Sequence, residues 1–197
     1  MAGRSIWTPA NIVTMARVAL VPCWLAAAEL TLPSDGTGVA WGSLAVALFF
    51  IALSLTDKLD GYLARSRGEV TTFGKFLDPI ADKLVVIVAL CFLLEHGMVS
   101  SWVLLVVVAR EFLVSGLRMV VAAEGTVVAA SSLGKWKTAT TMVSLSGLLL
   151  IRCLVSGPFL DFVSFVSYAL LVVAVLLTAW SGVDYFLKSW KTVVGDE

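Results

Sequence analysis

The chain is poor in charge. Of its 197 residues only 14% are Asp, Glu, Lys or Arg, while 59% are hydrophobic. A soluble domain carries about 25% charged residues, so the composition excludes a water-exposed globular surface, and the mean hydropathy of +0.97 agrees. There is one histidine, His96, in a short connection away from the main acidic cluster. That argues against Ser-His-Asp and Cys-His chemistry. The three cysteines, Cys23, Cys91 and Cys153, lie in separate apolar stretches without metal-ligand spacing. They read as small core- or lipid-facing residues. Fourteen basic residues are matched by fourteen acidic ones, so no basic excess points to nucleic acid. Repeats and low-complexity tracts are missing.

What the chain has instead is apolar runs of about twenty residues, the length that crosses a hydrocarbon core. They predict an all-α membrane protein with six transmembrane helices, over residues 11–30, 41–64, 78–94, 102–121, 137–151 and 159–187. Residues 1–8 read as a short N-terminal interfacial segment with Trp7 at headgroup level, and Pro9 suits a first helical turn. Residues 120–134 read as a stretch along the membrane surface. The whole chain, 1–197, is expected to form a single membrane domain. Arg4, an apolar run and Ala26-Ala27-Ala28 imitate a signal peptide, but Arg17 interrupts the run and further spans follow, which argues against cleavage. The connections at 32–38 and 95–100 hold no Lys or Arg, and the one near 156–158 has only Arg152 beside it. All other basic residues of the fourteen fall on the opposite face. The positive-inside rule makes that face, and both termini, cytoplasmic.

Against this background four carboxylates stand close together: Asp57 and Asp60, three apart at the end of the second span, and Asp78 and Asp82, four apart at the start of the third. Each costs roughly 2.5–3.5 kcal/mol at a helix centre in lipid. Both spacings put a pair on one helix face, and the short connection makes the two helices an antiparallel hairpin. Four acids converging at one level need a counter-charge. Hard oxygen ligands suit Mg²⁺, Mn²⁺ or Ca²⁺, and four carboxylates can bridge two ions that clamp a phosphate or pyrophosphate. Gly61, Ala64 and Gly74 leave room beside the acids, either for helix packing or for a ligand near the backbone.

The run Asp57-x2-Asp60-Gly61-x2-Ala64-Arg65-x8-Gly74-x3-Asp78-x3-Asp82 resembles the motif of the CDP-alcohol phosphotransferases at every position. The resemblance implies six transmembrane helices, a homodimer, and a site open to the cytoplasm. It further implies two divalent ions, Mg or Mn, held by Asp57, Asp60, Asp78 and Asp82, with Asp82 also the general base. Gly61, Ala64 and Gly74 would lie against the CDP moiety, together with Asp57 and Asp60, and Arg65 would support the phosphates or the acids.

The motif leaves the acceptor alcohol open. Arg110 and Arg118 share a face of the fourth span, and Lys135 and Lys137 open the fifth. These residues either neutralise the four Asp and bind lipid headgroups, or form an anionic-acceptor pocket. Arg110-Glu111-x3-Ser115-Gly116-Leu117-Arg118, Ser132-Leu133-Gly134-Lys135-x-Lys137-Thr138 and Asn11-x2-Thr14-x2-Arg17 are similar to segments of bacterial family members that use glycerol 3-phosphate. This implies transfer of a phosphatidyl group from CDP-diacylglycerol to glycerol 3-phosphate, in a bacterial inner membrane among membrane lipids. Arg110, Arg118, Lys135 and Lys137 would hold the acceptor, with Asn11, Thr14 and Arg17 in support. Rival expectations are another acceptor, inositol phosphate or phosphatidylglycerol, and a divalent-metal transporter.

Overall fold

A computed structural model describes residues 8–67, 71–123 and 132–194. Within the helices, side chains at 10, 57–67, 72, 75, 122–123, 132–133, 135 and 191–194 lie outside the described set. The expected interfacial segment at 1–8 is therefore described only at Thr8, and most of 120–134 also lies outside it.

Six helices follow one another: α1 (Pro9–Glu29), α2 (Trp41–Arg67), α3 (Thr72–Glu95), α4 (Ser101–Ala123), α5 (Ser132–Ile151) and α6 (Pro158–Val194). Among the described residues there is no strand. The shortest, α5, has 20 residues, about 30 Å at 1.5 Å per residue, a hydrocarbon-core thickness. Two segments, Asn11–Glu29 and Pro158–Trp190, are both long and apolar enough to cross a membrane.

Helix starts differ most from the sequence reading. α3 begins at Thr72 rather than Asp78 because Thr71 caps it, accepting the Gly74 N–H on its hydroxyl at 3.0 Å. The helix then runs on through Pro79. Gly74 thus sits in the first turn of α3, not in the connection before it. α5 likewise begins at Ser132, ahead of Lys137, so the basic residues lie within its first turns.

α1 packs on α2 and α3, and α6 packs on α4 and α5. The two groups join where α5 meets α2 and α3, and where α3 meets α4. The centre is Trp24, 1% exposed, its ring 5.7 Å from both Phe50 and Phe92. Its indole N–H donates to the Val46 carbonyl at 3.0 Å. In lipid, helices gain little from apolar burial alone, so close contact through small residues matters more. α5 and α6 meet in that way: a Cβ on Gly147 would stand 2.1 Å from Ser167 Oγ, and Ser144 Oγ donates to the Ser167 carbonyl at 3.0 Å.

The outer surface is aromatic near both ends. Trp41 and Trp102 are exposed where α2 and α4 begin, Trp136 and Trp190 where α5 begins and α6 ends. Interfacial tryptophans of this kind flank a bilayer.

Candidate active site

Every functional candidate falls at one end of the bundle. Odd-numbered helices begin there and even-numbered ones finish there. The α1 positions Asn11, Thr14 and Arg17 recur every third residue, and all three are buried. They form a ladder along neighbouring residues. Asn11 Nδ2 donates to Thr71 Oγ1 at 2.9 Å, Thr14 Oγ1 to Asp78 Oδ1 at 2.9 Å, and Arg17 Nη1 to Asp82 Oδ1 at 2.8 Å. Arg17 Nε also reaches Thr56 Oγ1 on α2 at 3.3 Å. A buried guanidinium needs such partners, and α1 thereby fixes Asp78 and Asp82 of α3.

Gly74 has a clear packing role. A Cβ there would stand 2.6 Å from Asn11 Oδ1, so its small size admits α1. Asp57, Asp60, Gly61, Ala64 and Arg65 lie on the last turns of α2, and their side chains are outside the described set, as is that of Lys135.

Asp78 and Asp82 line one wall of a cavity of about 340 Å³. Arg110, Arg118 and Lys137 line it too, so these acceptor candidates share one space with the two acids. Arg110 is held from two sides: Nε donates to Ser181 Oγ on α6 at 3.2 Å, and Nη1 to Glu111 Oε1 at 3.0 Å. Gly182 makes room for it, since a Cβ there would lie 3.0 Å from Arg110 Cγ. Lys137 Nζ donates to the same Glu111 Oε1. The Arg118 guanidinium sits 6.0 Å from the centre of the Tyr185 ring.

Two charged cavity residues had no site role in the sequence reading. Lys83, next to Asp82 in the chain, donates to Ser115 on α4. Glu111 was visible only as a neighbour of Arg110. Spacing could have flagged Lys83, one residue from an expected base; nothing in the sequence shows that Glu111 reaches α5.

The arrangement sets hard oxygen donors beside a basic cavity. Asp82 is 45% exposed at its side chain and lines the cavity with Asp78, so both acids can present oxygen to it. Such a donor set fits Mg²⁺ or Mn²⁺. Carboxylates that could hold a divalent ion, next to cations that could hold an anion, suit a class of helical protein that handles phosphorylated substrates.

Comparison with known proteins places the chain within that class. The family model for CDP-alcohol phosphatidyltransferase matches residues 7–180. The chain is 42% identical, over 93% of its length and 95% of the relative's, to a CDP-diacylglycerol–glycerol-3-phosphate 3-phosphatidyltransferase of Bacillus subtilis. It is 36% identical to the protein of the same name in Haemophilus influenzae, over 88% of each chain. It is also 37% identical to a CMP-forming cardiolipin synthase of Oryza sativa, over 93% of this chain and 58% of that one. The chain belongs to the CDP-alcohol phosphatidyltransferase family. Members of this family generally work with divalent metal ions.

Proposed function

We propose that this protein transfers the phosphatidyl group of CDP-diacylglycerol to glycerol 3-phosphate, giving phosphatidylglycerophosphate and CMP. The observation that carries the reading is the single cavity of about 340 Å³ shared by Asp78, Asp82, Arg110, Arg118 and Lys137. The names of the similar bacterial proteins support the same pair of substrates.

In this reading the acceptor's phosphate rests among Arg110, Arg118 and Lys137, and the sequence pattern adds Lys135. Arg and Lys suit a phosphate dianion. The acceptor's terminal hydroxyl then points toward α3. Asp82 takes its proton, and the oxygen forms a bond to the phosphorus bearing diacylglycerol. The bond from that phosphorus to CMP breaks, and CMP leaves with the electron pair. Arg17 orients Asp82 and supplies its counter-charge, while Thr14 orients Asp78. Two divalent ions, Mg²⁺ or Mn²⁺, held by Asp57, Asp60, Asp78 and Asp82 would neutralise the pyrophosphate charge when bound. In this reading Gly61, Ala64 and Gly74 lie against the CDP moiety, and Arg65 supports the nucleotide phosphates or the acids. Holding both reactants in line is worth several kcal/mol by itself, about 7–11 kcal/mol in the most favourable cases.

The same reading makes the chain one membrane domain of six spans, a homodimer in a bacterial inner membrane, with the site and both termini cytoplasmic. Helix lengths and the tryptophan positions support the spans, and the one-sided basic residues support their orientation; the homodimer rests on the family resemblance alone. A second reading, phosphatidylglycerol as acceptor, is favoured by the similarity to the rice protein. Steady-state CMP release, measured with each acceptor alone, separates the two. Release with phosphatidylglycerol and none with glycerol 3-phosphate would reverse the order.

A further inference from the structure

α4 and α5 are not packed on each other. Among the described residues no Cα of one comes within 8 Å of a Cα of the other. Both line the cavity, together with α3, and the Glu111–Lys137 ion pair crosses the cleft between them. The same Glu111 oxygen, Oε1, also accepts from Arg110 at 3.0 Å. The three side chains are 13%, 13% and 16% exposed.

An acid at the heart of an anion pocket weakens the field that an incoming phosphate meets. It also does something that a purely basic pocket cannot. Arg110 and Lys137 reach the same oxygen, so they stand close together in a poorly hydrated place. Without the carboxylate they repel each other and turn away, Lys137 toward water. Like charges in such a site are costly. Arg110 is already tied to Ser181 on α6, so the carboxylate links α4, α5 and, through Arg110, α6.

We propose that Glu111 is a positioning residue for the acceptor: its carboxylate holds Arg110 and Lys137 as a pair across the α4–α5 cleft, ready for the phosphate. The proposal rests on the acceptor pocket described above. It states that placing the two cations outweighs the charge that the acid subtracts.

The test compares purified wild type, Glu111→Gln and Glu111→Asp, with both substrates varied and Mg²⁺ present. For Glu111→Gln the KM for glycerol 3-phosphate is expected to rise on the order of 10-fold. That is less than the full cost of unpairing a buried charge, because Gln still accepts hydrogen bonds. The KM for CDP-diacylglycerol should stay within about two-fold, and Glu111→Asp should fall between wild type and Gln. In a Lys137→Met background the Gln substitution should raise the acceptor KM by less than it does alone. An unchanged or lower acceptor KM in Glu111→Gln would overturn the proposal, since the acid would then only dampen charge. An equal rise in both KM values would also overturn it, as a general packing defect. If the Gln variant does not fold, an unchanged acceptor KM in Glu111→Asp is the overturning result. Wild type that releases no CMP with glycerol 3-phosphate would instead refute the acceptor assignment itself.

Discussion

Arg17 Nη1 lies 2.8 Å from Asp82 Oδ1, joining an arginine side chain that is 1% exposed to a carboxylate that is 45% exposed. The pair ties the first helix to the residue proposed as the base. Arg17→Met should therefore cost stability as well as turnover. Breaking a fully buried pair costs about 3–5 kcal/mol. Water screening of Asp82 lowers the expected loss here to about 1–3 kcal/mol. Thermal unfolding in detergent measures it. Arg17→Lys, which keeps the charge, should recover part of the loss.

Thr14→Val keeps the shape of the side chain and removes the hydroxyl that Asp78 accepts at 2.9 Å. If Asp78 holds metal as proposed, a partner behind it should govern about 10–100-fold in metal affinity. Mn²⁺ binding, followed by electron paramagnetic resonance, should weaken within that range while the fold survives. Unaltered binding would show that Thr14 serves helix packing alone.

Asp82→Asn retains an oxygen for Arg17 but cannot take a proton. Turnover should fall to background while CDP-diacylglycerol binding largely survives. Near-normal turnover in this variant would remove Asp82 as the base.

Two glycines of α5 and α6 should fail in different ways. Gly147→Ala drives a Cβ to 2.1 Å from Ser167 Oγ, and overpacking of this kind costs about 1–3 kcal/mol. Gly182→Ala instead presses on Arg110 Cγ at 3.0 Å. The first should lower the melting temperature and leave the two KM values in proportion. The second should raise the acceptor KM several-fold and leave that for CDP-diacylglycerol unchanged.

The helices and their order were legible in the sequence because apolar runs report directly on the surrounding solvent. The acidic motif was legible because its spacing is fixed within each helix. Spacing also put Asn11, Thr14 and Arg17 together, though not the partner each would meet. What stayed hidden depends on contacts between helices. The early start of α3 follows from the Thr71 cap on Gly74, a local hydrogen bond that the apolar pattern does not record. The packing use of Gly74 follows from Asn11 on another helix. Glu111 looked like an ordinary neighbour of Arg110 until α5 brought Lys137 to the same oxygen. Periodicity tells which residues share a face, and only the packed bundle tells what that face meets.

The most direct test of the central claim is the lipid made by the purified, reconstituted protein from CDP-diacylglycerol and Mg²⁺. The acceptors glycerol 3-phosphate, inositol phosphate and phosphatidylglycerol are offered together, and the products are identified by mass spectrometry. The account predicts phosphatidylglycerophosphate as the dominant product, formed in step with CMP and lost in Asp82→Asn. Phosphatidylinositol phosphate or cardiolipin as the dominant product would contradict it, as would metal uptake into the vesicles without any CMP.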